Sequence, residues 1–259
     1  MTERKIKVLT VSDIHSVATL LDDLQQAVER HKPDILACVG DIIDFEAAGR
    51  GMLPPSECGK RIANMPVPQT LFVRGNHEHE NWHDFAAAWR DSRQKLATLH
   101  GEVFVHGPLV IVGFPCLLGD EDAFRGDRPI LEIEPDTWLR PLLKRFGKAI
   151  RTLWLMHEPP LGTPLAPEAG VIAGNREWME AVEWLEPKLA VFGHDHNTSR
   201  RKKIWNHKLA CGTTCINVGQ DSPLRYCLIE MTFASEKPSL PTAINVIANA
   251  GGRESLSIA

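Results

Sequence analysis

The chain lacks the long apolar runs that export or membrane insertion would require. Met1 to Lys5 lead straight into a strand-like segment with no stretch long enough for a signal peptide, and nothing later is long enough to span a bilayer. No sign of charge dominates either. A formal charge of −4 in 259 residues gives no general reason to expect nucleic-acid or anionic-membrane binding. The six cysteines are scattered, and Cys211 and Cys215, four apart, have no second pair at zinc-finger spacing. They read as reduced, mostly buried thiols, which points to a cytoplasmic protein with no membrane association. Internal repeats, low-complexity runs and linkers are absent too. With 43% hydrophobic and 24% charged residues the composition is that of a globular protein with a sizeable core. The expectation is one domain over residues 1–250 and a loose tail over 251–259. Nothing in the chain specifies an oligomeric state.

Hydrophobic patterning gives an α/β order. Ile6–Val11, Asp34–Val39, Gln69–Val73, Thr152–Met156 and Leu189–Phe192 are short, nearly continuous apolar runs, as buried strands are. Val17, Leu20, Leu21, Leu24 and Val28 fall at the three-and-four spacing of one helix face that ends before Pro33. Further helices are expected around Trp82–Trp89, over Pro135–Phe146, and after Asn175, which caps a helix burying Trp178, Ala181, Val182 and Leu185. Glu102–Val105 and Leu109–Phe114 read as a hairpin, and the C-terminal third turns to strands near Ile216–Val218, Tyr226–Thr232 and Ala243–Ala248. Phe45–Asn64, Pro115–Pro129 and Glu158–Gly174 read as loops, the first with room for one helix.

Five of those strands end in the same kind of cargo. Asp13 and His15 follow the first strand, Asp41 the second, Asn76 the third, His157 the fourth, and His194 and His196 the fifth. Polar groups massed where buried strands end mark a ligand site in an α/β sheet. Carboxylate, amide and imidazole without thiolate suit manganese, iron or zinc better than magnesium or calcium. Seven such groups exceed what one ion takes and suit two divalent transition-metal ions sharing a carboxylate, a pair able to hold a phosphoryl group and a hydroxide together.

As an ordered set, Asp13-Ile14-His15, Gly40-Asp41-Ile42-Ile43-Asp44, Gly75-Asn76-His77-Glu78, His157 and Gly193-His194-Asp195-His196 resemble the calcineurin-like metallophosphoesterase superfamily. The resemblance runs from the first strand to Asn197. It implies an α/β fold, a two-sheet β-sandwich flanked by helices, with a dinuclear site at the strands' C-terminal ends. It assigns one metal to Asp13, His15, Asp41 and His196, the other to Asp41, Asn76, His157 and His194, with Asp41 bridging. It further implies in-line attack by a metal-bridging hydroxide, His77 acting as general acid and Asp44 orienting it. Phe45 and Glu46 stand where the protein Ser/Thr phosphatase branch carries Arg-Gly, which argues against that branch. Glu158, following His157, is a second departure, placed either against a ligand or against substrate.

Two weaker signals remain. His79-Glu80-Asn81-Trp82-His83 matches the H-E-x-x-H pattern of zinc proteases, but no downstream third ligand is evident, so His79 is left as a residue of the substrate cleft. Ser199-Arg200-Arg201-Lys202-Lys203 reads as a solvated edge strand, with attraction of a phosphorylated or nucleic-acid substrate as the alternative. The expected function is hydrolysis of a small phosphate ester, a diester before a nucleotide or phosphoprotein monoester. The alternative of another class is a scaffold that keeps the fold without the chemistry, which the retained His77 and Asp44 disfavour.

Overall fold

The apolar runs are continuous because both faces of their strands are covered. In the computed structural model, which describes residues 3–44, 52–78, 82–114, 135–167, 174–220, 223–234, 236–249 and 253–258, alternate residues of each run enter different cores. Strand β2 (Ile35–Val39) sends Ile35, Ala37 and Val39 into one core and Leu36 and Cys38 into another. Strand β8 (Leu189–Phe192) divides Leu189 and Val191 from Ala190 and Phe192 in the same way.

Three cores result, separated by two sheets. The first sheet holds β1 (Arg4–Val11), β2, β3 (Gln69–Val73), β4 (Lys95–Thr98), β11 (Cys227–Phe233), β12 (Ala243–Asn249) and β13 (Arg253–Ile258), in the order β13-β12-β11-β1-β2-β3-β4. The second holds β5 (Glu102–His106), β6 (Leu109–Gly113), β7 (Leu153–Leu155), β8, β9 (Asn206–Lys208) and β10 (Thr214–Asn217), in the order β5-β6-β7-β8-β10-β9. The central core lies between the sheets and draws on β1, β2, β3, β6, β7, β8 and β10 to β12. Helices α1 (Ala18–His31), α2 (Pro55–Ala63) and α3 (Trp82–Ala87) cover the outer face of the first sheet. Helices α4 (Pro135–Phe146) and α5 (Arg176–Leu185) cover the second. This is the expected α/β sandwich. Strands β1 to β4 run parallel, as do β6, β7, β8 and β10, so within each sheet their C-terminal ends fall on one side.

Local signals worked where they were chemical. Asn175 Oδ1 accepts from Trp178 N at 3.2 Å, capping α5, and α1 buries Leu20, Leu21, Leu24 and Val28 before ending at His31. The structure departs from expectation in three places. Residues Arg253–Ile258 are strand β13, not a loose tail: they pair antiparallel with β12, Leu256 and Ile258 pack on the central core, and the Trp205 indole donates to the Glu254 carboxylate. The basic run after Thr198 is helix α6 (Thr198–Lys202), and the edge strand is the polar β9 behind it. Strands β4 and β9 leave no signature in the sequence, because four and three mixed polar residues show no apolar period. As expected, the Phe45–Asn64 segment holds one helix, α2, near its end. The loop Pro115–Pro129 and His79 to Asn81 of the H-E-x-x-H match lie outside the described residues, as does Cys116. The other five cysteines are free thiols, with Cys38, Cys58, Cys215 and Cys227 buried. Among the described residues no helix is long and apolar enough to cross a membrane.

Candidate metal centre

The loops leaving β1, β2, β3, β7 and β8 converge, and their backbones are cross-linked before any side chain meets. Asp13 N donates to Gly40 O, His15 N to Asp41 O and Gly193 N to His157 O, at 2.9, 2.9 and 3.1 Å. Asp13, His15, Ser16, Asp41 and His194 have φ values of 56, 48, 59, 53 and 67°, a left-handed conformation that costs a non-glycine residue about 1–3 kcal/mol. Strain gathered at adjoining strand ends is a hallmark of a functional site. Two glycines admit the close approach. A Cβ at Gly40, φ +87°, would lie 2.2 Å from His157 Nδ1, and one at Gly75 would lie 2.2 Å from Asp41 Oδ1.

Three ligand-like groups form among the described residues, of which two hold the expected ligands and the third joins His15 to Asp44 and His77. Around the buried His157, Asp41 Oδ2 lies at 3.1 Å from Nε2, Asn76 Oδ1 at 3.1 Å and His194 Nδ1 at 3.2 Å. His157 Nδ1 faces the Val39 carbonyl at 2.9 Å, so that nitrogen carries a proton and donates it. One further proton on Nε2 cannot satisfy three acceptors at once, whereas a cation among them answers all four lone pairs. In the second group His196 Nε2 faces Asp13 Oδ1 at 3.0 Å and His15 Nε2 at 3.3 Å. Imidazole nitrogens meeting this way around a carboxylate are again donors to a metal before they are partners to one another. The donor chemistry therefore fits a pair of divalent ions. Asp41 is grouped with His157 and His194, and its charge also acts on His15.

Electrostatics agree. Burial opposes the charge of Asp13 and Asp41, yet the adjoining imidazoles hold both below the usual carboxylate range. Burial likewise opposes a charged His157, but Asp41 beside it raises the imidazole to about 10. His196 is raised against burial by its bond to Asp13. His194 is pushed down to about 4, first by burial and then by the charge on His157, and burial lowers His15. A divalent ion would take the place of the protons that these carboxylates now attract.

His77 and Asp44 stand beside these groups. His77 N donates to Asp41 Oδ1 at 2.9 Å, and its Nδ1 faces Asp44 Oδ1 at 3.3 Å. Its Nε2, 3.9 Å from Asp41 Oδ2, is turned to the side of the site. All nine residues expected at the site thus come together.

Some residues that matter were seen in the sequence and given no role. Glu78 is fully buried, and its carboxylate accepts from Asp41 N (2.9 Å), Ile42 N (2.5 Å), Ile43 N (3.2 Å) and Gly75 N (2.6 Å), tying the second and third strand ends together. Asp195, between two histidines, accepts from Asn197 N and Thr198 N at 3.2 and 2.8 Å. Their signal was a carboxylate inside a strand-end block, where burial demands donors. Glu158 is buried beside His157.

The chain belongs to the calcineurin-like phosphoesterase family, whose profile matches residues 6–198. Membership implies a metal-dependent phosphoester hydrolase with a dinuclear centre. No curated protein sequence matches. Among solved structures the chain is similar to a dimetal phosphatase from Danio rerio, with 13% identity over 98% of each chain and a TM-score of 0.61. It is also similar to the TT1561 protein of Thermus thermophilus, with 15% identity over 89% of this chain and 99% of that one and a TM-score of 0.58. GAP50, the anchor in the inner membrane complex of Plasmodium, shares 10% identity over 98% of this chain and 89% of its own, with a TM-score of 0.56. At such identities the likeness is one of fold.

Proposed function

We propose that the protein hydrolyses a small phosphodiester at two divalent transition-metal ions, manganese, iron or zinc. Asp13, His15, Asp41 and His196 would hold one ion and Asp41, Asn76, His157 and His194 the other, with Asp41 common to both sets. Once bound, the pair supplies Lewis acidity toward the phosphoryl oxygens and a water acidic enough to act as nucleophile. The chain's own contribution is positional. His157 is fixed by the Val39 carbonyl, and Asp41 by Glu78 acting on its backbone. His77 delivers a proton from Nε2 to the leaving oxygen as the phosphorus–oxygen bond breaks, with Asp44 holding Nδ1.

The observation that carries this reading is the convergence of Asp41, Asn76 and His194 on one nitrogen of His157. Diester before monoester is favoured by where Arg74 goes. A dianionic monoester gains from an arginine at the site, but the Arg74 guanidinium stacks 5.2 Å over the Trp82 ring, which itself packs on Phe72 and Phe85. A panel of matched mono- and diesters, run on metal-reconstituted protein, tests the reading. A clear preference for the monoester would reverse the order, and no hydrolysis of either by protein carrying two ions would leave the scaffold.

A further inference from the structure

The more exposed side chains of the candidate centre adjoin a cationic segment of the chain. Side-chain exposure at the site rises from 0% for Asp13 and His157 to 25% for His77 and 37% for His196, so His196 is the more open of these groups. The next residue, Asn197, is exposed, and α6 starts immediately after it. That helix and the residue after it bring Arg200, Arg201, Lys202 and Lys203, four consecutive exposed cations in a chain of net charge −4.

Their position is tied to the centre. Asp195, which spaces His194 from His196, is buried and caps α6 through Asn197 N and Thr198 N. Its carbonyl in turn accepts from Asn217 Nδ2 at 3.2 Å. Arg201 N donates to Asn197 O at 2.8 Å, which sets Arg201 one turn, a rise of ~6 Å at ~1.5 Å per residue, from the residue after His196. Lys202 Nζ is engaged by the Pro164 carbonyl at 3.1 Å, which fastens the far end of α6 to the segment following β7.

We propose that the substrate carries a second phosphate beyond the scissile one, and that Arg201 and Lys203, on the cationic segment that follows His196, receive it. The inference rests on the phosphoesterase reading and narrows its substrate class. Cations at a helix C-terminus also stabilise the helix itself. That accounts for their presence in α6 but predicts no effect on substrate choice, and the two explanations separate by experiment.

The probe is the 5′-nitrophenyl phosphodiester of thymidine, with and without a phosphate on its 3′ oxygen, compared for wild type and for the double variant Arg201→Glu with Lys203→Glu. The wild type should favour the 3′-phosphorylated ester by on the order of tenfold in kcat/KM at low salt, and the preference should shrink as salt is raised. The variant should lose the preference while keeping its rate on the plain diester. An equal rate for both esters in wild type, or an unchanged preference in the variant, overturns the inference. Binding of thymidine 3′,5′-bisphosphate and thymidine 5′-monophosphate, measured by calorimetry on the same metal-loaded proteins, reads the second phosphate without any turnover. Equal affinities in the wild type overturn the inference even if hydrolysis is seen. Failure to hydrolyse either ester, with the bisphosphate bound more tightly by the wild type alone, would instead count against the phosphoesterase reading.

Discussion

Oδ2 of Asp44 lies 3.5 Å from Nδ1 of His15, the imidazole grouped with Asp13 and His196. The other oxygen of the same carboxylate faces His77 Nδ1 at 3.3 Å, and the His15 and His77 rings meet edge to face at 4.7 Å. Asp44 therefore touches both a candidate ligand and the candidate acid, where the sequence had suggested the acid alone. Asp44→Asn should weaken metal binding by about 10- to 100-fold, as loss of a carboxylate behind a metal-bound histidine does. It should also slow activated and unactivated esters alike. Metal affinity and both rates, measured on one preparation, check this. Normal metal affinity with a loss confined to the unactivated ester would return Asp44 to its simpler role.

His77 should behave differently. A nitrophenolate leaves without a proton, whereas an alkoxide does not. His77→Asn should thus cost little with an aryl ester and on the order of a hundredfold with an alkyl ester, at unchanged metal content. Equal losses on the two esters would remove His77 from the role of acid.

Metal content tests the ligand assignment itself. Elemental analysis of the manganese- or zinc-loaded protein should find about two ions per chain. Asp41→Asn should lower that number, because one charged oxygen is withdrawn from both ions. Full occupancy and full activity in this variant would show that Asp41 does not bridge.

Glu78→Gln is expected to harm the fold as well as the site. The amide would set its own NH₂ against two backbone N–H groups in a fully buried position, at about 1–3 kcal/mol for each donor left unmet. Thermal unfolding should shift down by many degrees. A midpoint within a degree of wild type would mean that the four backbone bonds contribute far less than their geometry suggests.

Removing residues 250–259 tests the last strand. It strips Leu256 and Ile258 from the central core and opens the edge of β12. With both side chains only partly buried, the loss should be about 2–4 kcal/mol, with increased aggregation from the bared edge. Urea unfolding of the truncated chain reads it directly, and an unchanged midpoint would restore the loose tail.

Much of this protein was legible from residue order alone, for a physical reason. Strands buried on both faces are mostly apolar, so β1, β2, β3, β7 and β8 declared themselves despite Lys7 and Thr10 within β1, and the polar groups massed just past their ends stood out. That made Asp13, Asp41, Asn76, His157 and His194 conspicuous. Strand β13 was not legible, because Arg-Glu-Ser-Leu-Ser-Ile is held by a neighbour's edge and a shared core, neither of which is local. The same holds at the site. Sequence could name Asp44, Glu78 and Asp195 as carboxylates near strand ends, but only tertiary structure decided that Asp44 faces two histidines, that Glu78 clamps two loops and that Asp195 caps a basic helix. Which donor meets which acceptor depends on strands brought side by side from distant parts of the chain.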